Sequence, residues 1–591
     1  VIDDWLLTST ERGNPHTRID GHRSGGAAWA TGSAVRPIVH GHPYLAELHA
    51  RVSALGEGDR LYFTDWRGDP DEQLTDDPGS TLTDVLVAAL GRGVDVRGLL
   101  WRSHWSRLGY SAEGHLRLGE AIGEAGGECL RDMRVRARGS HHQKLVVLRH
   151  RDAPERDVAY VGGIDLCHSR RDDARHLGDH QAETRLASAY GSTPAWHDVQ
   201  VAVTGPAVLD VETTFRERWE DSLPLTVNPG RWLSSRLQRE QLEPSPLGAQ
   251  WPAPPSPDGA HDAVQVLRTY PSIRPRGFDF APDGERSVRA GNLKSLGRAR
   301  RLVYVEDQYL WSEEVGEHYA RALRENPDLR CVFVLPLVPD EEDPLHRVPQ
   351  LYGRSLAMRR ILEAGGDRVA VFGLSNEHGL PVYVHAKTCI VDGRWASVGS
   401  DNLNRRSWTH DSEVACAVLD ERDGPEGPDG PAPADAFPRV LLRTLAAEHL
   451  GCEPEAVPED PHALFDAMVA CADALDEWFA GGVADPAPDP ESGVRGRVVR
   501  RVVGARPHVR DQLAARVPAR LATSWQRQAR LRADAEAHGT IGRAGAAATR
   551  PPGRLRRLAP PVLTPAQERW AKPLYELVFD PDGRPPGLGA D

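Results

Sequence analysis

The sequence predicts an α/β protein built from two similar halves about a pseudo-two-fold axis, with a helical C-terminal extension. Three observations carry that prediction. "RLYFTDW" (60–66) and "RLVYVED" (301–307) both open on Arg-Leu, continue as apolar β-rich runs and reach an acid at the same step. "HHQKLVVL" (141–148) and "VHAKTCIV" (384–391) share the order His, one residue, Lys, apolar strand. Each is followed by a strand ending in "YVGG" (160–163) or "SVGS" (397–400). Asp65 precedes His142 by 77 residues and Glu306 precedes His385 by 79, so order, spacing and end-points agree.

Taken in order, residues 1–39 read as an N-terminal extension. They lack a basic segment followed by an apolar one, so no signal peptide is expected and the expected location is cytoplasmic, peripheral to a membrane. Residues 40–225 form the first half and 262–420 the second. In each, the early strand leads into a helix-like stretch and a further strand, "DVLVAALGRGVDVRGLLW" (84–101) and "YARALRENPDLRCVFVLPL" (319–337). The Pro- and Gly-rich "LEPSPLGAQWPAPPSPDGA" (242–260) marks a linker over 226–261, and "DGPEGPDGPAPADAFP" (423–438) closes the second half. Residues 421–591 carry two helical patterns, at 439–451 and 461–482, and then a basic arm.

The net charge of −13 hides an asymmetry. Between Arg495 and Lys572 lie 18 Lys and Arg against 4 Asp and Glu, which leaves the remainder near −27. A basic arm on an acidic body predicts docking to an anionic surface, or a solvated helical face folded on the body. An acidic body is a poor host for polyanionic nucleic acid. The 7 cysteines are scattered without CxxC spacing, which argues against a disulfide scaffold or a zinc site. No apolar run approaches the roughly 18 residues of a membrane span.

Residues i and i+2 of a strand share a face, so His142 points with Lys144, and His385 with Lys387. Packed about a two-fold axis, two imidazoles and two ammonium groups converge on one cleft, a set suited to a phosphodiester. The lysines neutralise non-bridging oxygens. One histidine attacks phosphorus to form a covalent intermediate, and the other protonates the leaving alcohol and then deprotonates the incoming water or alcohol. No metal or cofactor is called for, and the helical His spacing in "HLGDH" (176–180) is read as structural. Each imidazole needs an acid to fix its tautomer. Glu413 lies 28 residues after His385, and Asp172 and Asp173 lie 30 and 31 after His142. Asp165, Ser400 and Asn402 at the strand ends are the candidate substrate-binding groups. Trp66, Trp101 and Trp105 are placed at the mouth, to hold a headgroup by cation–π contact, to sit at a bilayer interface or to fill the core. Arg149 stands where the second copy has Asp392. Seven residues from His142, it faces away from it, so Arg149→Asp is expected to change stability only modestly.

The pattern H-x-K-x4-D with a following G-[GS] resembles the phospholipase D superfamily. "AYVGGIDLC", "WHDVQVAVTGPAVLDVETTFRERWE" (196–220), "VEDQYLW" (305–311) and "VHAKTCIVDGRWASVGSDNLNRRSWTHDSEVA" (384–415) are similar in order and wording to its eukaryotic-type members. The resemblance implies the phospholipase D fold, His142 as nucleophile, His385 as general acid and base, Lys144 and Lys387 as phosphate clamps, and Asp172 as a catalytic acid. The implied substrate is a phospholipid at a membrane surface, with water or an alcohol as acceptor. A cardiolipin-synthase-like transferase, a nuclease of the same superfamily and a non-enzymatic lipid binder are the alternatives.

Overall fold

The computed structural model describes residues 2–23, 25–103, 112–182, 186–226, 229–237, 240–422, 432–481 and 550–584. Residues up to Ala472 form one compact unit with those from Gly553 onward, and Asp473–Pro552 form a second. Trp105 and most of the basic arm lie outside the described residues. No helix among the described residues is long and apolar enough to cross a membrane.

In the first half the strands are β1 (Ala30–Val39), β2 (Arg60–Asp65), β3 (Asp95–Trp101), β4 (Glu128–Asp132), β5 (Leu145–Arg149), β6 (Val158–Gly162), β7 (Ala195–His197) and β8 (Val199–Thr204). The second half has β9 (Asp262–Tyr270), β10 (Glu285–Arg286), β11 (Leu302–Glu306), β12 (Arg330–Val334), β13 (Val369–Ser375), β14 (Pro381–Val384), β15 (Thr388–Val391), β16 (Trp395–Gly399) and β17 (Glu413–Asp420), and β18 (Leu555–Arg557) follows far along the chain. The first sheet runs β1–β8–β6–β5–β2–β3–β4. The second runs β9–β17–β16–β15–β11–β12–β13 with the same alternation of parallel and antiparallel pairs. The duplication read from the sequence is a repeated seven-strand order.

Both faces of these strands are covered, which explains their near-continuous apolar wording. Tyr62, Leu145 and Val147 point into a core shared with Tyr304, Val332 and Val398, where the two sheets pack together. Their neighbours Leu61, Phe63, Val146 and Leu148 point outward onto first-half helices through Leu45, Leu86 and Leu118. Leu296, Leu323 and Ile361 cover the outer face of the second sheet in the same way. β1 pairs with β8 and also with β9, so the sheets share a strand that begins inside the stretch read as an extension. The far C-terminal β18 joins the second sheet beside β13.

The strand register shifts one correspondence. Leu145 faces Thr64 and Thr388 faces Glu306, so the counterpart of Asp65 is Asp307, one residue beyond Glu306. Matching the segments by their opening Arg-Leu hid this, because the pairing with the His-x-Lys strand fixes the register. The symmetry extends to hydrogen bonds. Asp65 accepts from the Leu166 amide at 2.9 Å, and Asp307 accepts from the Leu403 amide at 2.9 Å. Each acid thereby ties its strand end to the loop following a G-[GS] element.

Arg149 is not a replaceable turn residue. Its buried guanidinium donates to Asp157 at 2.6 Å, to Glu212, and to the Pro252 carbonyl of the linker at 2.6 Å. Asp392 instead caps the amides of Arg300, Arg301 and Leu302. The two turns are built on different chemistry, and the modest effect expected of Arg149→Asp does not fit a buried ion-pair hub.

Candidate active site

His142 and His385 each stand just before the central strand of a half, β5 or β15, on segments that cross to the other half. The parallel pairing of β14 with β7 places Val384 opposite His197, and the His385 amide donates to the His197 carbonyl at 2.8 Å. Symmetrically, His141 bridges Ser412, and the His142 amide donates to the Ser412 carbonyl at 2.9 Å. These exchanges bring the acids. His142 Nδ1 lies 2.9 Å from Glu413, and His385 Nδ1 lies 2.7 Å from Asp198. Each imidazole is backed by a carboxylate from the opposite half, leaving its Nε2 for chemistry.

Asp198 and Glu413 are counterparts. Gly162 faces Gln200 and Gly399 faces Ala415, so each acid lies two residues before the partner of the strand-ending glycine. Glu413 was named from the sequence, but as a residue downstream of His385, whereas it serves His142. Asp198 was missed, although it sits in the quoted "WHDVQV". Its signal was an acid at the entry to the strand after the G-[GS] element, the position Glu413 holds in "HDSEVA". Asp172 touches neither histidine. Its oxygens accept from the amides of Trp196 at 2.7 Å, Asp173 at 2.9 Å and Gly178 at 3.1 Å, so it organises the loop after β6.

Two of the three groups assigned to substrate binding, Asp165 and Ser400, have internal side-chain partners. Asp165 is buried, with its carboxylate 3.2 Å from Lys144 Nζ and 3.1 Å from Arg170. Ser400 Oγ donates to Glu413 at 2.6 Å and steadies the acid behind His142. Asn402 is buried, and its Oδ1 has no hydrogen-bond partner. Lys387 Nζ donates to Gln308 Oε1 at 3.2 Å and to the His385 carbonyl, while Lys144 Nζ donates to the His142 carbonyl at 3.2 Å. Trp66 meets His142 edge-on at 6.0 Å and stacks on Trp101, and Trp196 lies 5.0 Å from the His385 ring.

The charges act across the halves. Burial, then Lys144 and Lys387, hold His142 well below the ordinary imidazole value. Burial, then Lys387 and Arg170, do the same to His385, with Lys144 contributing. Both shifts favour the neutral imidazole in the free chain, and each ring feels the other half's lysine. Burial, then Asp411, pushes Glu413 up to about 8. Burial lowers Lys387 to about 8 against the pull of Asp198 and Asp307. "HLGDH" does not act as one pair: His176 is buried, whereas His180 is exposed beside Arg171.

A duplicated sheet whose halves exchange carboxylates behind two His–Lys pairs is an arrangement that could hold and act on a phosphodiester. Comparison with known proteins narrows this reading. The family described as "Phospholipase D" matches residues 121–321, and "Cardiolipin synthase, PLD-like domain" matches 337–423. The chain belongs to the phospholipase D superfamily, whose enzymes act on phosphodiester bonds. It is 23% identical to phospholipase D gamma 2 of Arabidopsis thaliana over 60% of this chain and 56% of that protein. It is 24% identical to phospholipase D1 of Schizosaccharomyces pombe over 54% of this chain and 28% of that protein. The chain thus spans about half the length of the plant relatives it matches. Among solved structures, a phosphatidylserine synthase of Haemophilus influenzae aligns with a TM-score of 0.44 at 14% identity, over 66% of this chain and 82% of that one.

Proposed function

We propose that this chain cleaves the distal phosphodiester bond of a glycerophospholipid and passes the phosphatidyl group to water or an alcohol. The observation that carries this reading is the pair of contacts His142–Glu413 and His385–Asp198, which orient two Nε2 atoms for attack and proton transfer. His142 Nε2 attacks phosphorus, and the positive charge that forms on its ring is stabilised through Nδ1 by Glu413. The leaving alkoxide takes a proton from His385 Nε2. In the free chain that proton is disfavoured by burial and by Lys387, and an arriving phosphodiester anion offsets the lysine charge and restores it. Water or an alcohol then gives its proton to His385, attacks phosphorus and releases His142. Lys144 and Lys387 carry the charge on the non-bridging oxygens throughout.

The match of the second half to a cardiolipin-synthase-like domain favours a second acceptor, the hydroxyl of another lipid. One experiment separates these outcomes. Vesicles of phosphatidylcholine or phosphatidylglycerol are incubated with the chain, with and without ethanol, and the lipids are resolved by mass. Phosphatidic acid and phosphatidylethanol are expected. Cardiolipin from phosphatidylglycerol alone would favour the second acceptor. Cleavage of oligonucleotides with the vesicles left intact would overturn the lipid reading.

A further inference from the structure

Behind the His385–Asp198 pair, five side chains from distant stretches meet, four of them buried and Glu448 partly so. His40 follows β1, His176 lies in the loop after β6, His197 ends β7, and Glu448 and His449 sit on the helix Phe437–Leu450. The four histidines are at most 4% exposed. Glu448 lies at their centre, its carboxylate 2.7 Å from His40 Nε2, 2.8 Å from His176 Nε2 and 3.5 Å from His197 Nδ1. One ligand atom from each of these four residues falls within 4.8 Å of all the others. Ligand atoms around a tetrahedral zinc, bonded at about 2.0–2.1 Å, stand roughly 3.3 Å apart, so small side-chain adjustments would suffice.

A network of hydrogen bonds alone accounts for the cluster poorly. Nδ1 of His197, the nitrogen that faces Glu448 at 3.5 Å, is buried with no hydrogen-bond partner. An orphaned buried nitrogen is costly, and an ion bonded to His197 Nδ1 would remove that cost. The surrounding acids are also arranged as supports for metal-bound imidazoles. His197 Nε2 lies 2.7 Å from Glu306, whose other oxygen is 2.7 Å from His449. His176 Nδ1 faces Asp172 at 3.7 Å. A ligating histidine turns its second nitrogen toward a carboxylate in this manner.

We propose that His40, His176, His197 and Glu448 bind one divalent transition-metal ion of the zinc class. Three imidazoles and a carboxylate suit zinc, and four protein ligands leave no open position, as in a structural site. The ion would fasten three first-half segments to the helix after the second half, directly behind the acid that serves His385. It therefore acts through position and takes no part in the displacement.

The test uses the full chain, free of any polyhistidine tag, purified from zinc-supplemented culture. Elemental analysis should find about one zinc ion per chain, and H176Q and E448Q should lose it. H180Q, which changes the exposed histidine of the same "HLGDH", should keep it. After chelation, addition of Co(II) should give the visible absorption of a four-coordinate site. Should the variants fail to fold, the wild-type chain decides: stripped protein should melt earlier and regain its stability with zinc. A folded wild-type chain without stoichiometric metal, and with no change in melting or absorption on adding zinc or Co(II), would overturn the site.

Discussion

His385 is steered by a single carboxylate, with its Nδ1 2.7 Å from Asp198. Asp198→Asn should keep the shape while releasing the tautomer, lowering turnover about 10²- to 10⁴-fold with little change in substrate KM. Asp172 gives the contrasting case. Its buried carboxylate accepts three backbone amides, so Asp172→Ala should cost about 1–3 kcal/mol in denaturant titration, with a much smaller loss of rate than Asp198→Asn. Lys387 sets a pH limit. Its ammonium form is present below about 8 and lost above it, and charge neutralisation needs that form. kcat/KM should therefore fall as the pH rises through about 8, and a profile flat well beyond that value would show that the charge on Lys387 is not required. The His–Lys pairs were legible because i and i+2 share a strand face whatever the tertiary structure. The acid behind His385 was not, because it stands 187 residues earlier and arrives by pairing of β7 with β14.

At the scale of elements, the end of β5 differs most from its counterpart. Arg149→Asp would remove the cation shared by Asp157 and Glu212 and bury a third carboxylate beside them. A loss of about 3–5 kcal/mol is expected in equilibrium unfolding, in place of the modest change that strand parity alone suggests. Parity tells which face a residue occupies, but not that the other face is dry and already holds two acids. The repeat and the matching succession of strands along the chain were readable from apolar runs and turn signals, whereas the order of strands in each sheet and the register of β2 and β11 were not. A one-residue slip leaves the sequence match looking equally good; pairing with β5 and β15 fixes it, and the matching bonds from the Leu166 amide to Asp65 and the Leu403 amide to Asp307 agree. The histidine–glutamate cluster was illegible for a related reason: its members come from four separated stretches with no common spacing.

For the whole molecule, the shared strand β1 and the shared core make the halves interdependent. Calorimetry should show them melting in one cooperative transition. Two resolved transitions assignable to the halves would show that the core between them contributes little.

The exchange of carboxylates between the halves bears on inheritance. A gene encoding either half alone specifies a histidine without the acid that orients it, so its product gains a complete site only by associating with another polypeptide. Once both halves are written in one reading frame, a copying error near Asp198 disables a histidine encoded far downstream. Neither half of the gene is then free to drift without the other.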